Sequence, residues 1–157
     1  IFDDVIGFAA ALPRYAPLVG LDLGTKTIGV AVCDGGLIIS SPLETIKRTK
    51  FQADATRLFE ITSHRKIVGI VLGLPRNMDG SEGPRAQSTR AFARNLSRLT
   101  ELPITYWDER LSTVAAERAL LEADTSRKRR AEVIDNIAAS IILQGLLDRL
   151  RNIKAQG

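Results

Sequence analysis

The order of apolar and polar positions along the chain predicts strands first and then alternating helices and strands. Residues 18–22 and 27–33 form two nearly continuous apolar runs, a pattern typical of strands covered on both faces. The turn residues 34–36 (Asp-Gly-Gly) indicate a hairpin, so that 37–40 is predicted as a third strand, which Pro42 ends.

The remainder of the chain alternates between helical and strand-like patterns. Apolar residues at helical spacing and continuous apolar runs predict helix 51–62, strand 66–75, helix 85–99, strand 102–107, and helices 114–123 and 127–151. The resulting order, β-β-β-α-β-α-β-α-α, predicts an α/β fold with a mixed five-stranded sheet and helices on both faces.

The domain organisation follows from length. The chain has 157 residues, enough for one well-filled core and too few for two large domains. Residues 1–17 are expected to form an N-terminal arm or a short helix, and residues 18–157 a single domain.

Composition excludes several classes of protein. Cys33 is the only cysteine and His64 the only histidine, so neither an internal disulfide nor a structural zinc site is expected. A lone cysteine favours the reducing cytoplasm, and no apolar segment reaches the length of a membrane span. The formal net charge of +4 permits a nucleic-acid partner without requiring one.

Four acidic residues occupy unusual places in this pattern. Asp22 lies inside the first apolar strand, and Asp108 and Glu109 follow the last predicted strand. Asp135 shares one helical stripe with Ala139 and further apolar residues, so the last helix would turn this acid towards the sheet. A carboxylate inside an apolar strand needs compensation by a positive charge or a hydrogen bond.

A hard divalent cation is one form of compensation. Carboxylates gathered in one place repel each other, and oxygen ligands without cysteine or histidine favour Mg²⁺ or Mn²⁺. Other interpretations stay open for each acid. Asp22 could cap the turn at Gly24, Asp108 or Glu109 could pair with Arg110, and Asp135 could be a surface charge.

Four motifs in order resemble the YqgF family, the RuvX-type bacterial proteins. They read GLDLGTKTIGVAV, GLPRNMDGSEG, WDERLSTVAA and IDNIAASIILQGLL, and the resemblance covers about residues 18–150. It implies a ribonuclease-H-like fold and a nuclease site that depends on Mg²⁺ or Mn²⁺. The implied catalytic residues are Asp22, Glu109, Asp135 and Asp108. Because consecutive strand residues face opposite sides, only one of Asp108 and Glu109 is expected to bind the metal, and the sequence leaves open which one. We assign the metal to Asp22, Glu109 and Asp135, with Asp108 as a neighbouring or turn partner.

Nucleic-acid contacts are also expected. Lys26 in the turn after the first strand and the loop residues Arg76 and Asn77 are candidates for substrate binding, although both places could be ordinary polar turns. The other candidates are basic residues that could neutralise phosphates or simply be solvated: Arg110, Arg127, Lys128, Arg129 and Arg130, the helix face with Arg90, Arg94 and Arg98, and the group Lys47, Arg48 and Lys50.

The leading hypothesis is a cytoplasmic endonuclease for structured RNA. The family resemblance implies maturation of the 5′ end of pre-16S rRNA, with ribosomal particles as further partners. The first alternative is a resolvase of four-way DNA junctions, which requires a homodimer for two symmetric cuts. A non-catalytic RNA-binding factor and an ATP-binding module are the others, and whether the chain is a monomer or a homodimer stays open.

Overall fold

The structure, a computed structural model, describes residues 1–111 and 127–156, without the side chains of residues 127–135 and 156. The predicted helix at 114–123 lies outside the described residues. Along the chain, the elements are α1 Val5–Ala11, β1 Leu18–Leu23, β2 Thr27–Cys33, β3 Ser40–Lys47, α2 Phe51–His64, β4 Gly69–Leu74, α3 Pro84–Ser97, β5 Ile104–Asp108, a 3-10 turn at Glu109–Leu111, and α4 Arg127–Gln156.

The strands form one five-stranded mixed sheet in the order β3-β2-β1-β4-β5. Strands β1, β2 and β3 pair antiparallel, whereas β1, β4 and β5 run parallel to one another. This arrangement confirms the predicted fold class. The carboxyl ends of the three parallel strands therefore meet at one edge of the sheet, here called the carboxyl edge.

Among the elements that the structure describes, the third strand is the one whose predicted place was wrong. It begins at Ser40, which pairs with Cys33, rather than at residue 37. The predicted turn is present, because Asp34 Oδ1 accepts the N–H of Gly36 at 2.9 Å. Leu37 continues that turn with a φ of 60°, so the chain rejoins β2 three residues later than the apolar pattern indicated.

Pro42 does not end this strand but lies inside it. It pairs opposite Ala31, at an irregularity that begins between Val30 and Ala31. Strand β3 is at the edge of the sheet, where a residue without an N–H group can be accommodated. The sequence rule that proline closes a strand fails here because the rule applies to central strands.

Each face of the sheet is covered by its own helices. Val19, Leu21 and Leu23 of β1 belong to a core cluster that includes buried residues of α2 and α3. The alternate residues of β1, beginning with Leu18, face the second cluster, which contains α1 and α4. The six residues of β1 and the six of β4 are all buried, as their unbroken apolar runs predict.

Helix α4 lies unusually close to the sheet at Gly20. A Cβ atom there would be 2.8 Å from Leu143 Cβ and 3.1 Å from the carbonyl oxygen of Ala139. Only glycine leaves room for this approach. Ala138, Ala139 and Ile142 are all buried, which confirms that the predicted stripe of α4 packs on the sheet.

The N-terminal segment covers the outer edge of β5. Phe2 donates its N–H to the carbonyl of Ile104 at 2.7 Å, and Thr105 Oγ1 donates to the carbonyl of Phe2 at 2.9 Å. Helix α1 is capped by Asp4, whose side chain accepts the N–H of Ile6, and it buries Phe8 completely. The arm thus pairs an edge that would otherwise be open to other strands.

Candidate metal and nucleic-acid site

Asp22 is a carboxylate inside the sheet. It is the residue before the last of β1, is only 3% exposed, and its Oδ2 atom is shut off from solvent. Because side chains alternate along a strand, Asp22 lies on the same face as Gly20, which contacts α4. The acid predicted from sequence is therefore on the α4 face of the carboxyl edge.

Glu109 reaches the same face from β5. It opens the 3-10 turn after that strand, and its Oε1 atom is buried, 3.1 Å from where a Cβ on Gly73 would lie. Leu21 pairs with Leu72, so Asp22 and Gly73 are the next residues along two adjacent strands, about 4.8 Å apart. Asp22 and Glu109 thus lie on one face and at one edge of the sheet.

Asp108 is held differently, by arginines. Arg110 Nη2 donates to its Oδ2 at 2.7 Å, and Arg76 Nη1 is 3.6 Å from the same atom. The hydrogen bonds from Arg110 hold the pKa of this carboxyl below its ordinary value. Asp108 therefore has the arginine partner that the sequence offered as one interpretation, while its catalytic role stays a prediction.

Asp135 lies on α4 but its side chain is outside the described residues. Its backbone lies one helical turn before Ala139, the residue whose carbonyl oxygen faces Gly20. Among the side chains that the structure describes, no three acidic, histidine or cysteine residues are grouped closely enough to hold a metal ion. The three-carboxylate site stays a prediction.

Two predicted substrate-binding arginines are already engaged with carboxylates. Arg76 Nε lies 3.4 Å from Glu82, in addition to its contact with Asp108. Arg110 binds Asp108 and also donates through Nη1 to the carbonyl of Met78 at 3.4 Å. The Arg76–Asp108 ion pair and the Arg110–Met78 hydrogen bond tie the loop after β4 to the end of β5.

The loop after β4 has an exposed tip. Asn77 donates its side-chain N–H to Ser81 Oγ at 3.0 Å, and Asp79 Oδ1 accepts from the N–H and the hydroxyl of Ser81. Gly80 has a φ of 90°, which explains the glycine in this turn. The structure thus shows an ordered polar turn, and contact of Asn77 with a substrate stays a prediction.

The structure describes some of the other predicted contact residues fully and others only by their backbone. Lys26 is exposed in the turn between β1 and β2, at the carboxyl edge. Residues 127–130 form the first turn of α4, and their side chains lie outside those described: Arg127, Lys128, Arg129 and Arg130. Arg90 on α3, one of a predicted basic face, is instead held by Glu82 at 2.6 Å and lies over the ring of Tyr106.

Two further arginines lie at the carboxyl edge: Arg85, to which sequence reasoning gave no site role, and Arg48, which it counted only among the basic residues that could neutralise phosphates. Arg48 Nη1 donates to the carbonyl of Gly24 at 2.6 Å, and Arg85 Nη2 donates to the carbonyl of Leu23 at 3.1 Å. These carbonyls belong to the two residues that follow Asp22 in the chain. No motif marks these arginines, since they come from the end of β3 and the start of α3.

A family model matches most of the chain. The model described as "RuvX: Holliday junction resolvase" matches residues 16–149. The chain belongs to the RuvX family. Its membership confirms the resemblance drawn from the four sequence motifs, and the RuvX match begins after the N-terminal helix α1.

Curated relatives of this RuvX-family chain are similar over nearly the whole length. The "Putative pre-16S rRNA nuclease" of Paracoccus denitrificans is 74% identical over 96% of this chain and 96% of its own. The protein of the same name from Cereibacter sphaeroides is 74% identical over 96% of this chain and 94% of its own. That of a Ruegeria species is 71% identical over 99% of both chains.

A solved structure shares the fold at low sequence identity. Thermus thermophilus RuvC in complex with a Holliday junction substrate superposes with a TM-score of 0.51 at 11% identity, covering 89% of this chain and 96% of RuvC. This likeness supports the ribonuclease-H-like fold expected of a RuvX-family member. Among the described helices, none has the length and apolarity that crossing a membrane requires.

Proposed function

We propose that this chain is a divalent-metal-dependent endonuclease that hydrolyses phosphodiester bonds of structured RNA. The observation that carries the proposal is the pairing of Asp22 and Glu109 on one face of the carboxyl edge. Burying the oxygen atoms of two carboxylates in an apolar sheet costs free energy, because each carboxylate loses its hydration. Such an arrangement is typical of a site built to hold a cation.

The donor chemistry fits a hard divalent ion. Asp22 and Glu109 offer carboxylate oxygens only, which suits Mg²⁺ or Mn²⁺ better than softer metals. Asp135 is proposed as the third ligand, since α4 contacts the strand of Asp22 at Gly20 and Asp135 is one turn away from that contact. When bound, the cation supplies Lewis acidity to the attacking water and the leaving oxygen of the phosphodiester.

The chain itself supplies position and shape. Asp22 is fixed by the backbone pairing of β1 with both β2 and β4, so its carboxylate is held without a flexible loop. Asp108 and Arg110 hold the turn that carries Glu109, because Asp108 Oδ1 also accepts the N–H of Arg110 at 3.0 Å. We assign Asp108 a positioning role and Glu109 the direct one.

The substrate is proposed to be precursor 16S rRNA, cut during maturation of its 5′ end. The name shared by relatives of up to 74% identity supports this choice, and the net charge of +4 suits a polyanionic partner. Lys26 and the basic start of α4 (127–130) are the proposed backbone contacts. We further propose that the enzyme acts in the cytoplasm, on RNA within ribosomal particles.

A second candidate is the resolution of four-way DNA junctions. The description of the matching family model favours it. Two symmetric cuts would require a homodimer, so a chain that cleaves RNA as a monomer and leaves junctions intact speaks against it. A non-catalytic RNA-binding role would leave both substrates uncut and binding unaffected by divalent ions.

The deciding experiment compares two labelled substrates. Purified protein is incubated with a precursor 16S rRNA fragment and with a four-way DNA junction, in Mg²⁺, in Mn²⁺ and in EDTA. We expect cleavage of the RNA that depends on the metal and is lost in Asp22→Asn. Absence of cleavage of either substrate under all conditions would contradict the nuclease proposal.

A further inference from the structure

A small pocket opens at the carboxyl edge, on the face of the sheet opposite to Asp22. It has a volume of about 220 Å³ and lies between the β1–β2 turn and the first turns of α3. Its polar walls come from Thr25, Arg48, Arg85 and Ser88. The proposed metal ligands do not line it.

The two arginines of this pocket are fixed by the main chain of the β1–β2 turn. Arg48 Nη1 binds the carbonyl oxygen of Gly24, and Arg85 Nη2 that of Leu23. Arg48 also lies over the ring of Phe92, with 5.7 Å between its guanidinium carbon and the ring centroid. A guanidinium has five N–H donors, so each arginine retains donors after these contacts.

Charge distinguishes this pair from the neighbouring arginines. Arg76, Arg90 and Arg110 each form ion pairs with carboxylates. Within the part of the chain that the structure describes, neither Arg48 nor Arg85 has an ion-pair partner, and no carboxylate lines the pocket. Among the described residues, the positive charge of this pocket therefore has no carboxylate partner.

We propose that Arg48 and Arg85 form a subsite for one backbone phosphate of the nucleic acid, next to the bond that is cut. The planar guanidinium fork matches phosphate oxygens, and the hydroxyls of Thr25 and Ser88 can donate to the same anion. Leu23, whose carbonyl positions Arg85, directly follows Asp22, and consecutive strand residues face opposite sides. One strand crossing the carboxyl edge thus meets the carboxylates on one side and this subsite on the other. The assignment rests on the proposed nuclease function.

The test maps individual phosphates by binding rather than by cleavage. Stem-loop RNA fragments that carry one neutral methylphosphonate linkage, each at a different position, are bound to the protein in EDTA. The variants Arg48→Gln and Arg85→Gln remove the charge and keep a side-chain N–H for the turn carbonyl. Arg94→Gln, an exposed position in the last turn of the same helix α3, is the matched control.

We expect wild-type protein to bind about tenfold more weakly when one particular linkage, or two adjacent ones, is neutral. The two glutamine variants should bind unmodified RNA about tenfold more weakly and become insensitive to that same linkage. In a plot of the logarithm of the binding constant against the logarithm of the salt concentration, the slope of each glutamine variant should be smaller by about 0.7 for each phosphate that is no longer neutralised. Arg94→Gln should keep the wild-type slope. If the effect of the glutamine substitution and the effect of the neutral linkage simply add at every linkage, the subsite is overturned. An equal loss of affinity in Arg94→Gln would overturn it too.

Two further readouts keep the result interpretable. Thermal unfolding reports whether the β1–β2 turn survives each substitution, and Arg85→Lys, which keeps a charge without the fork, should retain most of the salt dependence if the fold is intact. Because binding is measured without metal, the mapping does not depend on cleavage. Failure of wild-type protein to cut any substrate would reject the nuclease proposal while leaving the phosphate map standing.

Discussion

The carboxylate of Glu109 lies over Gly73 of the interior strand β4, with its Oε1 atom 3.1 Å from the place that a Cβ would take. The same missing side chain leaves room for Ile142 of α4, whose Cδ1 atom would overlap that Cβ. The glycine thus allows an acid and a helix to meet over the sheet, beside Asp22.

Gly73→Ala is expected to destabilise the protein by about 1–3 kcal/mol, because the new methyl group overlaps Ile142. The clash involves the end of a flexible side chain, so adding Ile142→Val, which removes Cδ1, should recover part of the lost stability. Urea denaturation of the two single variants and the double variant measures this coupling. Strictly additive losses would show that the helix adjusts elsewhere.

Asp22→Asn should lower the cleavage rate by at least about 100-fold, since the substitution removes a carboxylate charge from the proposed metal site. Folding and RNA binding should change little, because asparagine has nearly the same shape. Asp34→Asn is the control, as Asp34 is an exposed turn acid whose acceptor role an amide can keep. Full activity in Asp22→Asn would reject the metal-site proposal.

Glu109→Gln and Asp108→Asn separate the two neighbouring acids. The first should abolish cleavage with little change in melting temperature, because the side chain is proposed to act directly. The second should lower stability by about 1–2 kcal/mol through loss of its bonds to Arg110, and reduce activity less. If Asp108→Asn lost more cleavage activity than Glu109→Gln, the roles assigned to the two acids would have to be exchanged.

Stability should depend on Asp108 in the acid range. Its pKa is lowered in the folded state, chiefly by the hydrogen bonds from Arg110. The ionised Asp108 therefore makes its full contribution to the free energy of unfolding above the unfolded pKa of about 3.9. This contribution is lost as the pH falls through the lower pKa of the folded state. Melting temperatures of wild type and Asp108→Asn should converge below about pH 4. A constant difference down to the acid limit would contradict this linkage.

Charge reversal at the start of α4 tests its proposed role in binding RNA. Arg129→Glu with Arg130→Glu should weaken binding and reduce the log–log salt slope by about 0.7 for each phosphate that the variant no longer neutralises. The matched control is Arg94→Glu with Arg98→Glu, an exposed pair at the end of α3. That helix starts after the carboxyl end of β4 and runs back along the sheet, so its last residues lie far from the carboxyl edge. An equal effect from both pairs would indicate non-specific attraction only.

The sequence by itself determined the described helices and the strands other than β3, because burial on both faces and helical spacing leave repeating patterns in a single chain. It also marked Asp22, since an acid within an apolar strand is conspicuous without any knowledge of its neighbours. It misplaced β3, where the left-handed turn at Leu37 and the edge position of Pro42 set the pairing.

Only the tertiary structure decided which side chains meet. Local alternation indicated that Asp108 and Glu109 face opposite sides, but the packing of α4 and the arginines of other segments decided which acid lies beside Asp22. The contacts of Arg48 and Arg85 with the β1–β2 turn could not be predicted from sequence either, because they join residues 24 and 62 positions apart. Spacing patterns report the face of an element, whereas contacts between elements depend on how the whole chain packs.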